Sequence, residues 1–143
     1  LEGVLPDYIR NASGSVKLGY NKFDVAGTPP GAIDTIDPGW RDTQTVPPTN
    51  VQIAQTGAGT ATLAWTPIAY TAHGGYYEVL SSQTSGGAYV SRGTTADSGG
   101  KTATGLTVSG LPAGTNYFVV RTFTPAHTRE TVSCLNNNGV SIN

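Results

Sequence analysis

Two histidines, His73 and His127, are the side chains best suited to serve as a general base or a metal ligand in this 143-residue chain. His73 lies in a glycine-rich turn and His127 in a Pro-Ala loop. Neither belongs to a motif such as HExxH or a serine elbow, which would supply the partner groups for catalysis. We therefore predict that both histidines are structural.

Carboxylates are the next candidates, since Asp34, Asp37 and Asp42 could bind calcium through hard oxygen ligands. Their spacing does not match the calcium-loop pattern, and no glutamate follows to complete the ligand set. We predict that they are solvated loop residues. Glycoside hydrolysis would need two convergent carboxyl groups, but Glu78 is the one acid in a clearly predicted strand.

The single cysteine, Cys134, cannot form an internal disulfide and has no partner histidine in a known cysteine motif. We predict that it is a small buried apolar side chain. Four aromatic side chains could instead form an exposed platform for sugars: Tyr70, Tyr76, Tyr89 and Phe118. The sequence thus predicts no catalytic residue, no metal site and no cofactor.

Composition limits the partners that the chain can have. Its net charge is −1 and it has no cluster of Lys and Arg, so nucleic acid is a poor partner. It contains no apolar run of the roughly 18 residues that a membrane span requires. The 19 glycines, 9 prolines and many threonines favour short strands joined by turns.

Alternation of apolar and polar residues predicts about seven strands after residue 50, the last of them within residues 129–143. This pattern indicates an all-β fold, an antiparallel β-sandwich. Seven side chains are expected in its core from alternation and from the turn before the strand at residue 117: Trp65, Tyr77, Val79, Leu106, Val108, Tyr117 and Val119. Phe118 and Val120 lie on the other face of that same strand.

The stretch GLPAGTNYFVV, residues 110–120, has the residues of a corner where a strand crosses between sheets. Leu111 can fill the core, Pro112 stiffens the backbone, and Gly114 permits a positive φ. We expect the Tyr117 ring to be buried against Trp65, with its hydroxyl bonded back to the corner, as in the tyrosine corner of Greek-key sandwiches.

TATLAWTP, GYYEV and GLTVSGLPAGTNYFVVRT together resemble a seven-stranded fibronectin type III domain, an immunoglobulin-like sandwich, over residues 48–143. The similarity is strongest to modules of exported bacterial proteins. It implies that Trp65, Leu111 and Tyr117 are core residues. It also places His127 at the histidine of a TPxH phrase, where a hydrogen bond would order the loop.

Residues 1–46 differ in composition and form a separate N-terminal extension, with the predicted sandwich domain covering residues 47–143. GAIDTIDPGW loosely resembles the phrase that closes a right-handed parallel β-helix, with matches at Gly31, Ile33, Asp34, Asp37, Pro38 and Trp40. We expect this segment to be extended or β-rich, or to pack as a satellite anchored by Trp40, because one β-helix rung cannot bury its own face.

These features predict a non-enzymatic module of a larger secreted or cell-surface protein. The module is expected to bind no cofactor and to act as a spacer or protein-interaction domain. The alternative is a carbohydrate-binding accessory module of a β-helix enzyme that acts on polysaccharides. The expected partners are other domains of the same polypeptide, or protein or polysaccharide ligands. We expect the chain itself to be a monomer.

Overall fold

The computed structural model describes residues 1–96 and 101–127, and most of its regular structure is β. The chain divides into two compact units. The N-terminal unit contains Leu1–Val46 together with residues 124–127, the described residues that follow β8, and the sandwich unit contains Pro47–Phe123. The described residues after Phe123 therefore group with the N-terminal unit, whereas the predicted domain covers residues 47–143.

The N-terminal unit is built from very short elements. In chain order they are β1 (Glu2–Gly3), α1 (Asp7–Arg10), β2 (Lys22–Phe23), α2 (Ile33–Ile36) and a 3-10 helix (Trp40–Thr43). Strands β1 and β2 pair in parallel. Each helix has four residues, too few to be stable alone, so tertiary packing must hold them.

That packing comes from a core of its own. Five apolar side chains are almost fully buried: Leu5, Leu18, Phe23, Ile33 and Trp40. The Trp40 ring meets Phe23 edge to face at 6.2 Å between centroids. Of the predicted alternatives, the extended segment was therefore wrong, because residues 1–46 contribute enough apolar side chains, Trp40 among them, to bury one another.

Three buried polar side chains brace this unit. The amide nitrogen of Gln44 donates to the carbonyls of Leu18 and Trp40, and its oxygen accepts from the backbone N–H of Phe23. The hydroxyls of Thr45 and Thr124 share a buried hydrogen bond of 2.9 Å. The chain segments on either side of the sandwich unit are thus held together within the N-terminal unit.

The sandwich unit contains two three-stranded antiparallel sheets. One has the order β3 (Thr49–Gly57), β4 (Thr60–Thr66), β7 (Gly105–Ser109). The other has the order β6 (Val90–Thr94), β5 (Tyr76–Ser82), β8 (Tyr117–Phe123). The strand predicted within residues 129–143 lies outside the described residues.

Side chains from both sheets form the core between them. The Trp65 ring of β4 meets the Tyr77 ring of β5 at 5.3 Å, edge to face. Alternation along β4 and β5 buries the side chains predicted for the inner face. Among the described residues, the buried apolar side chains of this unit include Ala61, Leu63, Trp65, Ile68, Tyr70, Tyr77, Val79, Val108 and Val120.

The predicted orientation of β8 was wrong. Tyr117 and Val119 are each 41 % exposed, whereas Val120 is buried. The register explains this, since Val120 pairs with the buried Val79 and must share its inward face. Tyr77, not Tyr117, is the phenol packed on Trp65. Leu106 and Leu111, also predicted for the core, are half-buried.

A different residue holds the corner between β7 and β8. The Asn116 side-chain nitrogen donates to the carbonyls of Pro112 and Gly114 at 3.0 and 3.1 Å. Gly114 has a φ of +100°, which favours glycine. The exposed Tyr117 ring faces away from the core, so the expected tyrosine corner is replaced by an asparagine brace.

Candidate functional site

Both histidines make local hydrogen bonds. In the sandwich unit, Nδ1 of the exposed His73 lies 2.6 Å from the Tyr70 hydroxyl. His73 has a φ of +64°, a left-handed backbone conformation that is uncommon for residues other than glycine. In the N-terminal unit, Nδ1 of His127 donates to the Pro125 carbonyl at 3.0 Å and its ring lies edge-on to Tyr20. This contact is of the loop-ordering kind expected for His127.

The most buried charged side chain of the sandwich unit is one that sequence reasoning missed. Lys101 is 0 % exposed, and its ammonium donates to the carbonyls of Ala72 and Gly74. The ammonium also lies 4.3 Å from the centre of the Tyr70 ring. With two carbonyl partners and an aromatic ring beside it, this amine holds the loop of residues 72–74 in place. No spacing of residues in the sequence predicts the contact between Lys101 and these carbonyls, because the contact depends on the backbone conformation of residues 67–75.

Asp34 in the N-terminal unit is engaged with a cation and a backbone donor. Asp34 accepts from Arg41 Nε at 2.7 Å, from Trp40 Nε1 and from the backbone N–H of Gly31. The Arg41 hydrogen bond, followed by that of Gly31, holds the pKa of the Asp34 carboxyl far below its ordinary value.

Asp37 is also bound rather than solvated. It is buried and accepts from the Leu18 backbone N–H at 2.7 Å and from Lys17 Nζ at 3.2 Å. The prediction of solvated carboxylates was therefore wrong for Asp34 and Asp37, while Asp42 is exposed. Across residues 1–96 and 101–127, no three His, Cys, Asp or Glu side chains cluster in a way that could hold a metal ion. Cys134 lies outside the described residues.

The acid predicted in a strand, Glu78, forms a cross-strand pair on β5 and β8. Its Oε2 accepts from Arg121 Nε at 2.6 Å. A hydrogen bond from Ser91 and the Arg121 guanidinium lower the pKa of the Glu78 carboxyl. A lowered pKa keeps the group ionised, which suits an ion pair and is the opposite of what a general acid needs.

The predicted aromatic platform is not assembled. Tyr70 is buried in the core, and Phe118 lies on the inner side of β8 with Val120. Tyr76 lies on the outside of its sheet, beside Phe123 of β8. It stacks on Phe123 at 4.8 Å between ring centroids, with 26° between the ring planes.

The outer face of the β5–β8 sheet is a further candidate for a binding surface. We use this name for the outward side chains of β8, namely Tyr117, Val119, Arg121 and Phe123, with Tyr76 and Glu78 beside them on β5. Tyr117, Val119 and Phe123 are 41, 41 and 36 % exposed. Apolar side chains concentrated along one strand are a feature of binding surfaces.

The fold and these contacts define a β-rich protein of antiparallel sheets with sandwich character. No protein-family model matches the sequence, and no curated protein is significantly similar to it. In the described part of the chain, no helix is long and apolar enough to cross a membrane.

Proposed function

We propose that this chain is a non-catalytic β-sandwich module that acts as a spacer or protein-interaction domain in a larger secreted or cell-surface protein. The observation that carries the proposal is the outer face of the β5–β8 sheet, where Tyr117, Val119 and Phe123 are exposed side by side on one strand. Tyrosine, phenylalanine and arginine are enriched in protein interfaces. Both described histidines, together with the acids Asp34 and Glu78, instead make local contacts that order loops and strands.

We infer further that the sandwich is of the fibronectin type III kind. The strand order β3-β4-β7 corresponds to strands A, B and E of an immunoglobulin-like sandwich, and β5 and β8 correspond to C and F of the facing sheet. The buried Trp65 on the second strand supports the same assignment. The exposed Tyr117 departs from the family pattern, and the six strands described in the two sheets are one fewer than the seven of that family.

The interaction role is tested by NMR with neighbouring domains of the same polypeptide added to the ¹⁵N-labelled chain. We expect shift changes along β8, and loss of them in Val119→Glu. Val90→Glu is the matched control, because Val90 is an exposed valine on β6 with 56 % exposure. Shift changes confined to residues away from β8 would contradict an interaction through this face.

A second candidate function is carbohydrate binding, which the stacked rings of Tyr76 and Phe123 favour. Stacked aromatic rings at a surface offer a flat apolar contact for a neutral sugar ring. Tyrosine fluorescence titrated with a panel of polysaccharides tests this role. Binding should weaken in Phe123→Ala and be unchanged in Tyr8→Ala, whose ring is exposed in the N-terminal unit. A flat titration across the panel would exclude it.

A further inference from the structure

The sandwich unit contains a cavity of about 250 Å³, which we call the open groove. Its walls come from β3, from the turn between β3 and β4, and from the corner that precedes β8. The Leu111 backbone N–H donates to the Gly59 carbonyl at 3.0 Å and joins the turn to the corner. Contacts of the main chain within the sandwich unit therefore hold the groove in shape.

Part of the lining is apolar and stays in contact with solvent. Ile53, Ala61, Leu111 and Phe118 all line the groove. Ile53 pairs with Leu63, so the two side chains share the inner face. Leu63 is 1 % exposed, whereas Ile53 is 51 % exposed. A ligand with an apolar surface would cover this inward side chain.

The polar part of the lining is uncharged. Thr56, Thr60 and Asn116 line the groove and carry hydroxyl and amide groups. The Asn116 side-chain oxygen is buried and, within the described residues, has no hydrogen-bond partner. The amide cannot turn to satisfy it, because the nitrogen already donates to the carbonyls of Pro112 and Gly114. A ligand hydroxyl that donates to this oxygen would remove the cost of an unpaired buried acceptor.

We propose that the open groove binds the ring of a neutral sugar. Such a ring has hydroxyl groups for the polar lining, an apolar face of C–H groups for the aliphatic and aromatic lining, and no charge. A cavity of about 150 Å³ can hold a benzene ring, so the groove has room for one six-membered ring with its hydroxyls. None of the described lining residues is charged, so a charged ligand would be buried without a counter-ion, which is costly.

The groove is separate from the outer face of the β5–β8 sheet. Phe118 alternates along β8 with Tyr117 and Val119 of that face, and alternate side chains of a strand point to opposite sides. The inference therefore does not depend on either proposed function, and a ligand in the groove leaves the outer face free.

An NMR titration of the ¹⁵N-labelled full chain tests the proposal. The probes are the methyl glycosides of glucose, galactose and mannose, with glucuronate and cyclohexanol for comparison. We expect at least one glycoside to shift the amide signals of Thr56, Leu111 and Asn116. Glucuronate and cyclohexanol should bind there at least about tenfold more weakly, since one adds a charge and the other lacks the hydroxyls.

Three outcomes of the titration would overturn the proposal. Cyclohexanol binding as tightly as the glycosides would show an apolar cavity without preference for sugars. Glycoside shifts confined to Tyr76 and Phe123 would place the sugar on the outer face instead. No shift of groove signals with any glycoside would show that the groove binds no neutral sugar ring.

Variants at the hydroxyls separate recognition from simple filling of space. Thr56→Val and Thr60→Val keep the branched shape, and removing a hydrogen bond should raise the dissociation constant of the glycoside about threefold to tenfold. Thr94→Val is the matched control on β6, where Thr94 is exposed, and should leave the constant unchanged. An unchanged constant in both groove variants, or an equal change in the control, would contradict recognition by the lining.

Discussion

The Tyr77 hydroxyl ties together three segments of the sandwich unit, and its removal gives a sharp prediction. It accepts from the Ile68 backbone N–H at 2.9 Å and donates to the Lys101 carbonyl at 2.8 Å. Tyr77 is 0 % exposed. Tyr77→Phe keeps the ring on Trp65 but leaves a buried N–H and a buried carbonyl short of a partner. Each such group costs about 1–3 kcal/mol, so we expect the free energy of unfolding to fall by about 2–6 kcal/mol.

Urea unfolding followed by the two indole N–H signals in NMR spectra measures this loss. Trp65 lies in the sandwich unit and donates its indole N–H to Ala103, whereas Trp40 reports on the N-terminal unit. The Trp65 midpoint should move to lower urea. Tyr117→Phe is the matched control and should change stability by less than about 0.5 kcal/mol, because its ring is 41 % exposed. A larger loss in Tyr117→Phe than in Tyr77→Phe would refute the assignment and restore the tyrosine corner.

Three further results are expected. Burial raises the pKa of the Tyr77 hydroxyl, so the stability that this group contributes is fully present below the ordinary tyrosine pKa near 10 and falls as the pH rises above that value. Tyr77→Phe should lessen this loss of stability at alkaline pH, measured by circular dichroism. An unchanged loss would contradict the burial of the hydroxyl. Asn116→Ala should lower the free energy of unfolding by about 1 kcal/mol, because it removes both corner hydrogen bonds. Thr115→Ala, at the exposed neighbouring residue, should leave the free energy of unfolding in urea almost unchanged. Equal losses in the two variants would contradict the role of Asn116 at the corner. Asp34→Asn should lower the free energy of unfolding of the N-terminal unit by about 2 kcal/mol at pH 7 through its lost charged hydrogen bonds. Because the folded pKa of Asp34 is depressed, the stability that its carboxylate contributes is fully present above the ordinary pKa of 3.8 and is lost progressively as the pH falls below that value. A difference between Asp34→Asn and the unsubstituted chain that stays constant down to pH 2 in thermal unfolding would contradict the ion pair.

Alternation predicted the central strands well because each has one apolar face. Ala61, Leu63 and Trp65 are the apolar side chains of one face of β4, and all three are buried. The next strand places Tyr77 and Val79 inward in the same way. When only one side of a strand can be buried, a period of two determines the orientation without knowledge of its neighbours.

The same reasoning could not orient β8, which has bulky side chains on both faces. Tyr117 and Val119 alternate with Phe118 and Val120, so periodicity allows either face inward. The register with β5 decides between them, since Val120 lies opposite Val79. Cross-strand register depends on turns and bulges elsewhere in the chain, which local sequence does not specify.

The N-terminal unit and the Lys101 contact were missed for related reasons. Helices of four residues are shorter than the window in which a helical period can be recognised. The carbonyls that bind the Lys101 ammonium belong to residues 72 and 74, and any residue type offers a backbone carbonyl. Contacts made by the main chain therefore leave no signature in the residue types.

The hydrogen bond between Thr45 and Thr124 has a mechanical consequence. It joins the two places where the chain leaves for the sandwich unit and returns from it. When tension separates the segment before Thr45 from the segment after Thr124, the load falls first on this bond and its neighbours. The strands of the sandwich unit, which lie between Thr45 and Thr124 in the chain, bear force only after this hydrogen bond has broken.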